Sequence, residues 1–273
     1  MKKIILLASF LFILSCATNP FTGKKTLAFV SNDQLFPTAF AQYDQFLNEN
    51  KVIRGTSKSA MIQRVGERIA VAAERWLDAN GKQGYLKDYK WEYNLVADPA
   101  VNAWCMPGGK IVFYTGILDV AQNETAIAAI MGHEVAHALA NHGQQRMSAA
   151  YLQQGLAVAG NIAIKDDASR QAFNQYYGVG SNVLGMLPFS RKHENEADKI
   201  GIYLMAIAGY NPDEASELWK RMGAKSGGQA PPEFLSTHPA SEKRVQNLQA
   251  EAARAKAEAR KFGVTSYRPL GKF

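Results

Sequence analysis

The stretch "MGHEVAHALANHG", residues 131–143, sets three histidines and a glutamate into a run that is otherwise apolar or small. On a helix His133 and His137 are separated by about 40° in azimuth and about 6 Å along the axis, so both imidazoles reach one ion. That pair is half of a tetrahedral zinc site. Glu134 stands about 100° round from His133, off the shared stripe, yet within reach of a water held on the open side of the ion. Zinc lowers the pKa of such a water toward ~7, and a carboxylate beside it takes the proton and passes it to a leaving amine. H-E-x-x-H therefore encodes two ligands and a base. Any fold must bury the back of this helix and bring a second element to its histidine stripe.

The helix reads from Glu124 onward, with Asn123 as N-cap, Glu124 in the first turn, Ile127, Ile130, Met131 and Ala138 as the apolar back, and Gly143 past the end. His142 points about 140° away from His137 on a continuous helix, which makes it a C-terminal residue favourable to the macrodipole and not a ligand. The better third ligand lies in "HENEAD", where Glu194 and Asp198 share a helix face and Ala197 is small enough for close packing. Glu194 completes a His-His-Glu site, and Asp198 can fix the tautomer of a ligand imidazole. His193 points elsewhere and reads as surface or rim. His238, in "STHPA", occupies a Pro-bearing loop where an imidazole could face a cleft.

The remaining chain reads as α+β, mainly helical, with a small antiparallel sheet. Helices are expected over "SNDQLFPTAFAQYDQFLNENK", capped by Asn32 or Asp33, and from Thr56 to Gly81 with Met61, Val65, Ile69, Ala72 and Trp76 on one face. "KWEYNLV" and "KIVFYTG" are strands, the first half-buried, with Pro107-Gly108-Gly109 as a turn between them. Residues 144–189 mix small and apolar residues with glycines and read as a mobile helical insertion or lid. Helices follow over "SRKHENEADKIGIYLMAIAGYNP", "PDEASELWKRMG" and residues 241–262.

The N-terminus pairs "MKK" with "IILLASFLFIL", the basic and apolar parts of a signal peptide over residues 1–15. Ser15-Cys16-Ala17 follows it and is similar to a bacterial lipoprotein cleavage site, with Cys16 as the lipidated residue. Residues 16–31 then read as a tether, 32–250 as the zinc-binding domain and 251–273 as a C-terminal helix and tail. Cys105 is the one other cysteine, so no disulfide framework is available. The formal charge of +7 falls to +5 when Lys2 and Lys3 leave, with 29 basic residues against 24 acidic. This excess is dispersed without aromatic interleaving, so nucleic-acid binding is not expected.

The motifs "NAWCMPGGKIVFYTGIL", "HEVAHALANH", "SRKHENEADKIG", "AGYNP" and "STHP", in that order, resemble the gluzincin metallopeptidases that include CAAX prenyl protease, HtpX and the periplasmic BepA- and LoiP-type proteases. The resemblance implies a zincin-like domain with one Zn2+ per chain, held by His133, His137 and Glu194, with Glu134 as general base. Asp198 matches the aspartate of the family's E-x-x-A-D motif, which orients a ligand or donates a proton. His238 matches a loop histidine able to cover the zinc, and Arg244 lines the same cleft. The strand at the PGG turn matches the family's substrate-side edge strand, where a peptide adds by main-chain pairing.

Cys105-Met106 departs from the small or apolar pair usual before that turn, which bears on subsite preference. The implied function is a zinc metalloendopeptidase of the exported lipoprotein branch, held by its lipid on the periplasmic side of the envelope, on the outer membrane sooner than the inner. Its implied partners are polypeptides, chiefly misfolded or misassembled envelope proteins. The competing reading is a chaperone-like or assembly-assisting binding module whose zinc site is gated by the His238 loop.

Overall fold

The computed structural model describes residues 16–29, 31–149, 190–225 and 233–271. The lid expected over 144–189 lies almost wholly outside the described residues, apart from a helical stretch over residues 142–149.

The chain opens on a hairpin of β1 (Cys16–Thr18) and β2 (Lys25–Leu27). Residues 16–29, expected as a tether, are thus docked on the domain. Phe21 stacks on Trp76 at 4.5 Å between ring centroids, and Asn19 is buried. Helix α1 (Asn32–Glu49) follows, capped by Ser31 in a reciprocal box with Gln34, one residue earlier than the caps expected from sequence. After β3 (Val52–Ile53), α2 (Ser57–Ala79) starts at Thr56 as expected and buries Met61, Val65, Ile69 and Ala72.

Strands β4 (Glu92–Val96), β5 (Ala103–Met106) and β6 (Lys110–Tyr114) join β3 in a four-stranded sheet of order β3-β4-β6-β5. The expected sheet was antiparallel, but β4 and β6 run parallel. The chain reverses twice between them, once after β4 and once at the PGG turn, where Gly108 and Gly109 both take positive φ. Two reversals restore the original direction, so only the β3–β4 and β5–β6 pairs are antiparallel. The β4 strand is also buried on both faces. Tyr93 and Leu95 join the main core, while Val96 packs with Tyr43 of α1 and Val112. Asn94 remains buried because it donates to the Tyr43 hydroxyl at 3.0 Å.

Helices α3 (Thr115–Ala121), α4 (Glu124–Leu139), α5 (Arg191–Ile207), α6 (Asp213–Ala224), α7 (Glu233–Thr237) and α8 (Glu242–Lys261) complete the described chain. α4 is not a surface helix with an apolar back, because Thr125 to Leu139 are all buried. It packs against α2, α5, α6 and β5. α8 crosses the expected boundary at residue 250 without interruption and buries Leu248, Ala252, Ala255 and Ala259, so the domain continues through it. No described helix is long and apolar enough to cross a membrane.

Candidate metal centre

The two halves of the centre meet where α4 and α5 cross at a pair of glycines. A Cβ on Gly132 would lie 2.7 Å from the carbonyl oxygen of Gly201, and one on Gly201 would lie 2.8 Å from the carbonyl carbon of Gly132. Only hydrogen fits at either position, so the backbones touch one residue before His133. Ala197, with no exposed surface, keeps the same spacing one turn earlier on α5, and Glu194 then reaches the histidine stripe.

Four side chains converge there. His133 Nε2 lies 3.0 Å from His137 Nε2, 3.1 Å from His238 Nδ1 and 3.5 Å from Glu194 Oε2. Glu194 Oε1 lies 3.0 Å from His238 Nδ1 and 3.3 Å from His137 Nε2. With bonds of 2.0–2.1 Å, tetrahedral zinc would set its ligand atoms about 3.3 Å apart, which matches this spread. The chemistry of the set fits a cation as well. Three imidazoles and a carboxylate that offer nitrogens and oxygens to one buried point are the donor types zinc takes. His133, His137, Glu194 and His238 are therefore the described group able to hold a metal ion.

The outer nitrogens are also engaged. His133 Nδ1 lies 3.0 Å from Asp198 Oδ1 and so donates to it, which turns the Nε2 lone pair inward. Arg244, from α8, donates to Asp198 Oδ1 at 2.6 Å and pairs with Glu194 Oε2 at 2.8 Å, with its guanidinium lying over the Trp219 ring. Glu134 Oε1 is buried, makes no hydrogen bond among the described residues and lies 3.5 Å from His238 Nε2.

The protonation states follow from these contacts. Burial works against a charged His133, but hydrogen bonds to Asp198 and Glu194 outweigh it and raise the pKa to about 9. Burial dominates for His137 and holds it well below the usual imidazole range. Glu194 is held far below the usual carboxylate range, because its hydrogen bonds to His133, His137 and His238 overcome its burial. Burial raises Glu134, only partly offset by the nearby His238 and His133.

The structure thus brings together His133, Glu134, His137, Glu194, Asp198, His238 and Arg244, seven residues drawn from three separate stretches of sequence. Cys16 lies in β1, apart from the centre, on the hairpin whose Asn19 side chain meets Glu196. His142, read from sequence as a C-terminal helix residue pointing away from His137, instead turns toward it. α4 ends at Leu139 and Asn141 takes a left-handed φ of 56°, so the chain turns before His142. His142 is fully buried, with Nδ1 3.0 Å from His137 Nδ1 and Nε2 2.9 Å from Glu196 Oε2. His193, half-buried, stacks on it at 4.4 Å between centroids. The one sequence signal for this was Asn141 itself, a residue that tolerates the left-handed helix-ending conformation nearly as well as glycine does.

Comparison with known proteins agrees with this geometry. The chain is 38% identical over 166 residues to the mitochondrial metalloendopeptidase OMA1 of Schizosaccharomyces pombe, covering 60% of this chain and 47% of that one. It is 34% identical over 197 residues to OMA1 of Saccharomyces cerevisiae, covering 70% and 54%. Against the beta-barrel assembly-enhancing protease of Escherichia coli it is 27% identical over 162 residues, covering 57% and 33%. The chain thus spans about half or less of the length of these curated relatives. They include mitochondrial and bacterial proteins, so they support the gluzincin resemblance at the level of the family and not of a branch within it. The sequence profile of peptidase family M48 matches residues 56–252, which hold every residue of the centre, and the chain belongs to that family.

Proposed function

We propose that the chain is a zinc-dependent metalloendopeptidase acting on polypeptides of the bacterial cell envelope. The observation that carries this reading is the convergence of three imidazole nitrogens and a carboxylate at 3.0–3.5 Å, with a second buried carboxylate beside them. His133, His137 and Glu194 hold the ion. Zinc bound there supplies an acidified water and a Lewis acid for the scissile carbonyl. Glu134, with its pKa raised by burial, is the group placed to accept the proton of the attacking water and return it to the leaving nitrogen. Asp198 lies behind His133, against Nδ1 and Arg244, a position that supports orienting the ring over donating a proton to substrate. Arg244 pairs with both carboxylates around His133 and offsets part of their charge.

The substrate strand adds to β5, which among the described residues is one edge of the four-stranded sheet and packs against α4. Cys16 carries the lipid, and the domain faces the periplasm. The bacterial relatives are beta-barrel assembly-enhancing proteases by name, which supports an envelope substrate. Glu134→Gln is the test. It should keep full zinc content and lose cleavage of an unfolded protein such as casein, and retained cleavage in a clean preparation would contradict the role of Glu134.

A second reading has its own observation. His238 Nδ1 lies 3.1 Å from His133 Nε2 and would compete with water or substrate for a place on a bound ion. A chain resting in this state binds polypeptides with its site closed, as an assembly-assisting module does. His238→Ala should then raise proteolysis, and an unchanged rate and unchanged metal affinity would remove the gate.

A further inference from the structure

We propose that His142 and Glu196 are positioning residues for His137, and that the turn at Asn19 in the N-terminal hairpin closes the hydrogen-bond chain holding them. The inference rests on the reading of His137 as a metal ligand.

The direction of every hydrogen bond in this chain follows from one end. His137 Nε2 faces His133 and Glu194, so its lone pair is committed to the ion and its proton sits on Nδ1. That Nδ1–H points at His142 Nδ1, 3.0 Å away, which must accept. A neutral imidazole that accepts on Nδ1 carries its proton on Nε2. His142 Nε2 lies 2.9 Å from Glu196 Oε2, an acceptor only, so this proton also has one destination. Asn19 Nδ2 donates to the same Oε2 at 3.1 Å. A single tautomer satisfies all three bonds, and it presents the His137 lone pair to the metal.

The far end is fixed as firmly as the near one. Asn19 Oδ1 accepts from Phe21 N at 2.9 Å and Thr22 N at 3.2 Å, and its backbone N–H donates to Lys24 O at 2.9 Å. The amide is therefore oriented by its own turn with its Nδ2 toward Glu196. Phe21 on Trp76 pins the tip of the turn to α2. The stacked ring of His193 covers one face of His142, and His193 Nε2 lies 3.3 Å from Gln145 Oε1. The turn lies three residues after Cys16, so the segment proposed to carry the lipid also closes the contact chain to the metal ligand.

The test is zinc affinity of the full chain, measured by competition with a chromophoric chelator, together with the visible spectrum of the cobalt(II)-substituted protein. His142→Leu should weaken zinc about 10–100-fold and alter the cobalt spectrum. His142→Asn, which returns an acceptor near the Nδ1 position, should recover part of that loss. Asn19→Ala, which touches no ligand, should weaken zinc several-fold, and in combination with His142→Leu should add little, because both break one chain. If His142→Leu and His142→Asn fold and bind zinc as the wild type does, the relay is wrong. If Asn19→Ala lowers only the melting temperature, the hairpin is a structural contact and not part of the relay. A wild-type chain that takes up no zinc would instead overturn the metal reading on which the relay rests.

Discussion

The two imidazoles of α4 proposed as ligands sit one turn apart but are held in different ways. Behind His133 is a charged pair, Asp198 and Arg244, both buried and both from helices that follow α4 in the chain. Behind His137 is a second imidazole, His142, and then Glu196, whose side chain is 13% exposed. One side fixes its ring with a carboxylate directly, and the other reaches its carboxylate through a second ring. The first arrangement concentrates charge in a dry place, so it is costly to break. The second spreads the same orienting task along a chain that ends near solvent and near the N-terminus.

The largest expected effect breaks the charged side. Asp198→Ala leaves Arg244 buried with Glu194 as its remaining carboxylate, and should cost about 3 kcal/mol, the low end for a broken buried pair. Glu196→Ala on the other side takes one hydrogen-bond acceptor from the buried His142 ring and should cost about 1–2 kcal/mol. Denaturant unfolding of the metal-free chain measures both, and equal losses would erase the distinction. Gly132→Ala strikes both sides at once, since its Cβ meets backbone at 2.7 Å and neither helix can yield by a rotamer change. A loss of about 1–3 kcal/mol with weaker zinc binding is expected.

Protonation separates the rings further. In the metal-free chain His133, raised to about 9, is protonated at neutral pH, whereas His137 is not. Metal requires the neutral ring, so zinc affinity should rise about tenfold per pH unit from pH 6 to 8, with close to one proton released per ion. Calorimetry in buffers of different ionisation enthalpy reads that proton, and Asp198→Asn should reduce it. Affinity independent of pH would show that His133 is already neutral. The smallest effect is at the bend. Asn141→Ala, which puts a residue without the short polar side chain that eases the left-handed region at φ 56° and loses the bond to Tyr85, should cost about 1–2 kcal/mol.

The same contrast explains what the sequence made legible. His133, Glu134 and His137 are readable because helical spacing alone fixes their relative positions, and Glu194 with Asp198 because one i,i+4 face faces one missing ligand. The caps at Thr56 and Asn123 are local chemistry and were readable for that reason. His142 was not, since its azimuth was reckoned on a helix that in fact ends at Leu139. Nor was the parallel pairing of β4 with β6, which depends on two chain reversals and not on either strand's own pattern. The docked hairpin was hidden because Asn19 and Glu196 are 177 residues apart and nothing periodic connects them.

The central claim is that the converging nitrogens and carboxylate are a zinc centre. Anomalous diffraction at the zinc edge, from a crystal of the zinc-loaded chain, tests it most directly. The account predicts a single strong peak about 2.0–2.2 Å from His133 Nε2, His137 Nε2 and a carboxylate oxygen of Glu194. A peak elsewhere, or none between these atoms at full zinc loading, would contradict it.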